Sequence, residues 1–238
     1  MIKELVWDTH FFKRKMGQLK VSGQPFSQIN TALQKARAEG FAYLICRLKF
    51  QDTGLIKFLE ASGFYLSDIA IIWSIQSKEF PFSKTAVRAF TENALTVATS
   101  KDIPMLREMA KSLFLESRFY HDPFFSHEEA DSFYEAWVEN AVKGEAADIV
   151  YCIPHKGFIV CKRSGDTSGD IVLIGTNKEF RGRGIATALV KEAVGWFDMQ
   201  GLRSICVKTQ LRNVHAMNFY RSLGFTIKEY ELLLAKIL

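Results

Sequence analysis

A chain of 238 residues is long enough to bury one large core or two smaller ones. With 48% hydrophobic and 24% charged residues it is neither disordered nor low-complexity. The net charge of +5 is spread along the chain, which suits an anionic small molecule and speaks against nucleic acid as a partner. No apolar run approaches the ~20 residues that span a bilayer, and MIKELVWDTHFFKRK mixes acids and bases where a signal peptide would be apolar. A cytoplasmic protein with no membrane partner is expected. Cys46, Cys152, Cys161 and Cys206 form no C-x-x-C pair and read as free thiols of a reducing compartment. The five histidines form neither H-x-x-x-H nor H-E-x-x-H, so no metal is expected.

In chain order, MGQLKV (16–21) alternates like a strand, and PFSQINTALQKARAEG (25–40) puts Ile29, Leu33 and Ala36 on one helical stripe that Gly40 ends. AYLICRLKF (42–50) reads as a strand, DTGLIKFLEASG (52–63) as a helix and DIAIIWSI (68–75) as another strand. SKEFPFSKT (77–85), polar and broken by Pro81, marks a linker between residues 1–80 and 86–238. The second segment begins with a strand near 86–98. A helix over 99–114 follows, capped by Asp102 or Ser100, with Ile103, Leu106, Met109, Ala110 and Leu113 inward. The aromatic loop SRFYHDPFF (117–125) leads to a helix over 128–143, in which Trp137 reads as core. Strands fit 148–153, 157–163, 170–176 and 204–210, with helices running from the glycine turn to about Gln200 and over 213–223. FTIKEYELLLAKIL closes the chain as one or two strands. This order predicts an α/β protein whose mixed sheet carries helices on both faces.

The stretch EFRGRGIATALVKEA (179–193) sets two glycines and two arginines where a strand meets a helix. Glycines let a ligand approach the backbone, and the first helical turn offers unpartnered amides with partial positive charge. Together with Arg181 and Arg183 they make a phosphate or pyrophosphate site. A Walker-type loop would need Lys-Ser/Thr after the glycines, which is missing. A dinucleotide fingerprint would need a third Gly or Ala where Thr187 stands. Arg181-x-x-Gly184-x-Ala186 is a third reading, and a glycine-rich turn with arginines in solvent is the bland one.

That third pattern resembles the coenzyme A pyrophosphate loop, [QR]-x-x-G-x-[GA], of the Gcn5-related N-acetyltransferase (GNAT) family. Asn213-x-x-Ala216-x-x-Phe219-Tyr220-x-x-Leu223-Gly224-Phe225 resembles the same family's N-x-x-A-x-x-x-Y-x-x-x-G-F signature. The resemblance implies a mixed, mostly antiparallel sheet flanked by helices, with a smaller GNAT-like α/β domain at residues 1–80 and acetyl-CoA as acetyl donor. It implies cofactor contacts from Ile174, Gly175 and Thr176 on a splayed strand, from Arg181, Gly182, Arg183, Gly184, Ile185, Ala186 and Thr187, and from Asn213, Ala216 and Phe219. Tyr220 would protonate the departing thiolate. WDxxFF (7–12), DIPxLRxxA (102–110), SRF (117–119) and FYxAWVENAVKG (133–144) resemble the members of this family that acetylate the 4-amino group of dTDP-4-amino-4,6-dideoxy-D-galactose, a nucleotide amino sugar. Ser117, Arg118, Phe119 and Tyr120 then become acceptor-side candidates, Arg118 for the phosphates and an aromatic for the base. Asp68 is a candidate base, with Glu116 and His121 as further ones. No cysteine sits in an activating context, which weighs against a covalent acetyl-enzyme. Family homodimers imply that the apolar tail ELLLAKIL could supply an edge strand to a partner copy. Another amine acceptor, a non-catalytic acetyl-CoA-binding module and a structural interaction domain remain the alternatives.

Overall fold

The computed structural model describes residues 1–81, 95–111 and 113–238. The chain opens with strand β1 (Ile2–Glu4), helix α1 (Val6–Phe12), β2 (Met16–Leu19) and α2 (Phe26–Ala38). Next come β3 (Tyr43–Leu48), α3 (Thr53–Ala61) and the long β4 (Tyr65–Gln76). After β5 (Thr96–Val97) lie α4 (Ile103–Ala110), the short α5 (Arg118–His121) and α6 (His127–Val142). A meander of β6 (Ile149–Ile153), β7 (Gly157–Arg163) and β8 (Ser168–Thr176) precedes α7 (Ile185–Met199). Strand β9 (Ser204–Gln210), α8 (Val214–Ser222) and β10 (Thr226–Ile237) complete it. No helix among the described residues is long and apolar enough to cross a membrane.

The ten strands of the described residues form one sheet in the order β1-β2-β3-β10-β4-β9-β8-β7-β6-β5. Among the described residues only β2–β3 and β8–β9 are parallel, so the sheet is mixed and mostly antiparallel, flanked by helices as expected. Strand β3 and residues 232–235 of β10 read as nearly unbroken apolar runs because both of their faces are covered. Tyr43, Ile45, Leu233 and Ala235 enter the core under α1, α4 and α6, while Leu44, Cys46, Leu48, Leu232 and Leu234 enter the core under α2 and α3. That division is the period-two alternation of a strand.

Five expectations are corrected by the structure. The edge-strand role for ELLLAKIL fails, since Leu232 to Ala235 pair with β3 on one side and β4 on the other. Residues before Met16 carry β1 and α1, where the sequence pattern predicted nothing; both are too short for periodicity to register. The helix placed over 99–114 stops at Ala110, because Lys111 turns extended (ψ 131°). Phe114 thereby stacks on Tyr134 at 4.5 Å. The loop 117–125 contains α5. Asp102 precedes α4 but makes no side-chain cap there, and Ser100 caps nothing among the described residues; the capping box is opened by Thr99, whose backbone N–H the Asp102 carboxylate accepts at 2.8 Å. The strand expected near 86–98 is seen at Thr96–Val97, and residues 82–94 lie outside the described ones.

Helix α7, which carries the glycine turn at its start, lies close against the sheet for a steric reason. A Cβ on Gly169 would stand 2.3 Å from the Phe197 ring, so only glycine lets that ring sit on β8. Ile185, Leu189, Ala193 and Phe197 are fully or almost fully buried on that face. At ~25 cal/mol per Å2 of buried apolar surface, each large side chain here contributes about 2 kcal/mol to the position of the turn.

Candidate active site

The turn ahead of α7 holds Gly182 at φ 72° and Gly184 at φ 82°, left-handed values that suit glycine and strain other residues. Gly184 is the helix N-cap and brings no capping side chain. The first bond to close the helix is from the Ala188 N–H to the Gly184 carbonyl. Among the described residues, none of the backbone N–H groups from Gly182 to Thr187 donates to a protein acceptor. Six successive free amides at a helix N-terminus make a concentrated anion cradle. A Cβ added at Gly182 or Gly184 meets nothing within 4 Å, so the approach is open. The Arg181 side chain folds back, its Nε donating to the Thr176 carbonyl at 3.2 Å, and the Arg183 guanidinium lies 5.5 Å from the Phe180 ring centre. Ile185 offers only its amide, since its side chain is core. Ala186 and Thr187 remain half-exposed. This donor set fits a pyrophosphate such as that of acetyl-CoA.

Strands β8 and β9 pair in parallel from Ser168↔Ser204 to Ile171↔Val207 and then part, although β8 runs on to Thr176 and β9 to Gln210. Val172 to Thr176, including Ile174 and Gly175, therefore keep β7 on one side and a cleft on the other. The Thr176 hydroxyl is buried there without a hydrogen-bond partner among the described residues. Across the parting stands α8, which Asn213 caps by accepting the Ala216 N–H at 3.0 Å. Its carboxamide oxygen is thus engaged, and its NH2 group is left to donate. Tyr220 is 3% exposed, within reach of Trp73, Phe219 and Phe225, with ring centres 5.4–6.4 Å apart. Burial alone perturbs it and pushes the phenol pKa well above its ordinary value.

On the acceptor side, the sequence-derived loop splits into different roles. Phe119 lies in the aromatic core, 4.0 Å from the Phe133 ring centre and 4.9 Å from Phe125, so its faces are already covered. Tyr120 is held to α6 by its hydroxyl donating to Asp131 and stacks on Tyr134. Ser117 is buried with its hydroxyl unpartnered among the described residues. Arg118 is 9% exposed, its guanidinium 4.2 Å from the Phe119 ring centre and its Nη1 donating to the Tyr43 hydroxyl at 3.4 Å. Glu116 and His121 are both exposed and face each other at 4.0 Å.

Asp68 sits on β4 where the pairing with β10 slips between Leu233 and Leu234. Its carboxylate accepts the Ile69 N–H at 2.9 Å, and burial pushes its pKa up to about 6, against the opposing pull of Arg212, Arg118 and Arg47. Beside it lies a hub that the sequence reading missed. The Asp122 carboxylate accepts Tyr43 and Ser67 hydroxyls at 2.6 Å each, Tyr65 at 2.7 Å and the Phe124 N–H at 3.1 Å. Its one local signal is an acid closing an otherwise aromatic run, SRFYHD; its partners come from strands more than fifty residues away. Burial pushes the Cys46 thiol up to about 12 and raises those of Cys152 and Cys161.

Comparison with known proteins identifies the class to which this arrangement belongs. The acetyltransferase (GNAT) family model matches residues 107–225, and the chain belongs to that family. It is 24% identical over 234 residues to a dTDP-fucosamine acetyltransferase of Escherichia coli O6:H1, covering 95% of this chain and 94% of that one. A spore coat polysaccharide biosynthesis protein of Bacillus subtilis is 28% identical over 131 residues, 54% of this chain and 45% of its own. The fold matches a GCN5-related N-acetyltransferase from Sphaerobacter thermophilus with a TM-score of 0.65 at 16% identity, covering 99% of this chain and 76% of that one.

Proposed function

We propose that this acetyltransferase moves the acetyl group of acetyl-CoA to the 4-amino group of a nucleotide-linked amino-deoxysugar, dTDP-4-amino-4,6-dideoxy-D-galactose, in a ternary complex. The single observation that carries the donor half is the run of unpartnered amides from Gly182 to Thr187. Support for the acceptor comes from the full-length similarity to the dTDP-fucosamine acetyltransferase.

In this reading the amine nitrogen attacks the thioester carbonyl, and amides on the cleft side of Ile174–Thr176 hold the oxyanion that forms. As the C–S bond breaks, Tyr220 gives its proton to the sulfur. Burial that disfavours the phenolate disfavours the thiolate equally, which keeps the two basicities within reach of each other. Asp68 takes the proton that the new amide nitrogen sheds. A carboxylate with a pKa of about 6 is mostly ionised at neutral pH yet basic enough to accept it. Ser117 and Arg118 line the acceptor side, with Phe119 and Tyr120 holding them in place.

The test is turnover of acetyl-CoA with a panel of nucleotide amino sugars, free amino sugars and peptide N-termini. The 4-amino dTDP-sugar should give the highest kcat/KM, and a peptide or polyamine exceeding it would overturn the assignment. With the preferred acceptor, Asp68→Asn should abolish the acid limb of the kcat/KM profile near pH 6. A variant that keeps this limb removes Asp68 from the proton path.

A further inference from the structure

Arg118 presents an electrostatic puzzle. It is 9% exposed, yet among the described residues it makes no ion pair within 4 Å, only a long bond to a phenol and contacts with two aromatic rings. A buried guanidinium without an anion is costly, and such a group persists where a ligand supplies the missing charge. By contrast, four other arginines among the described residues pair with a carboxylate. Arg47 pairs with Glu231 at 2.8 Å, and Arg14 pairs with Glu129.

A second unpaired guanidinium lies close by. Arg212, in the turn between β9 and α8, extends to the Ser67 carbonyl, its Nη2 donating at 3.5 Å. The Ser67 hydroxyl donates to Asp122, whose other partner Tyr43 receives Arg118. The two arginines thus flank the same irregular step of β4, one reaching it directly and one through the buried hub. Leu211 N–H donates to the Ile69 carbonyl at 2.8 Å, which fixes the turn that carries Arg212 against this step. Asp68 feels both guanidinia and Asp8 feels Arg118, while Asp122 is shared among four donors, so among the described residues neither arginine has a carboxylate of its own within 4 Å.

We infer that Arg118 and Arg212 together form a clamp for the diphosphate of a nucleoside-diphosphate-linked acceptor, Arg212 being a binding residue that decides between nucleotide-linked and free amines. This rests on the nucleotide-sugar reading above and sharpens it. Guanidinium forks match phosphate oxygens in a way that a lysine would not, and Arg212 follows closely on the end of β9, the strand that borders the proposed transfer cleft.

The experiment uses dTDP as probe and protein saturated with CoA, so that the amide cradle is filled and only a second diphosphate site is read. Calorimetry should detect dTDP binding to the wild type and a loss of about tenfold or more in Arg212→Gln. Arg212 is exposed, so this variant should keep its fold. Equal dTDP affinity in the two proteins, or none in the wild type, overturns the clamp. In turnover, Arg212→Gln should raise KM for a dTDP-linked amino sugar and leave KM for the same sugar without diphosphate unchanged; an equal rise for both also overturns it. If no nucleotide amino sugar is acetylated but dTDP binding still depends on Arg212, the proposed acceptor falls while the clamp stands.

Discussion

The donor and acceptor sides of this site are built on opposite principles. The donor side is made of backbone amides that the protein leaves unpartnered, presented by one turn and one helix end. The acceptor side is made of side chains, and its centre is a carboxylate with four protein donors drawn from two strands and a loop. Where a ligand must supply the missing partners, the chain leaves vacancies and makes the backbone rigid. Where side-chain positions must be held, it surrounds Asp122 with four donors and makes that network rigid instead.

Substitutions should separate the two principles by whether activity or stability suffers. The largest effect is expected for Tyr220→Phe, with a fall in kcat of about a hundredfold or more. Its stability should be unchanged or slightly higher, since the hydroxyl gains nothing from the protein. A variant with normal kcat breaks the assignment of proton donor. Next comes Asp122→Asn, which sets an NH2 group against three hydroxyl donors; about 3 kcal/mol of stability should be lost in denaturant titrations. Acetyl-CoA affinity measured below the unfolding transition should hardly move.

Smaller is the effect of Gly184→Ala. Forcing a Cβ into a φ of 82° costs about 1 kcal/mol, and KM for acetyl-CoA should rise about tenfold as the cradle distorts. An unchanged KM would mean that the amides do not hold the diphosphate. Smallest is a stability effect at Asp68, opposite in sign to that of an ordinary paired acid. Its folded pKa of about 6 lies above the ordinary value of 3.8, so between those values the folded chain keeps a proton that the unfolded chain has lost. Stability from this group therefore declines as pH rises through that window and stays lower above it. Asp68→Asn should gain about 1–2 kcal/mol at pH 7 after allowance for solvent screening, with no gain at pH 4.

Legibility in the sequence follows the same division. The cradle and the cap of α8 were readable because each is a local event: glycines at fixed spacing, an Asn three residues before the Ala whose amide it accepts. Fold class was readable for a similar reason, since strand and helix periods repeat over many residues. The hub was not, because Tyr43, Tyr65 and Ser67 look like ordinary strand residues until the sheet brings Asp122 to them. Phe119 shows the reverse error, a residue whose motif suggested ligand contact and whose ring is packed among Phe12, Phe125 and Phe133. Tertiary packing also decided the end of α4, where the apolar period continues but the backbone does not.

The middle of the sheet is filled last. Strand β10, at the far end of the chain, is the wedge between β3 and β4. On a ribosome adding ~5–20 residues per second, the two earlier strands wait many seconds with their facing edges bare. Nascent chains should therefore lean on chaperones until β10 has been made, and a stop codon between Gln76 and Thr226 should leave a polypeptide that joins edge to edge with its own kind instead of closing.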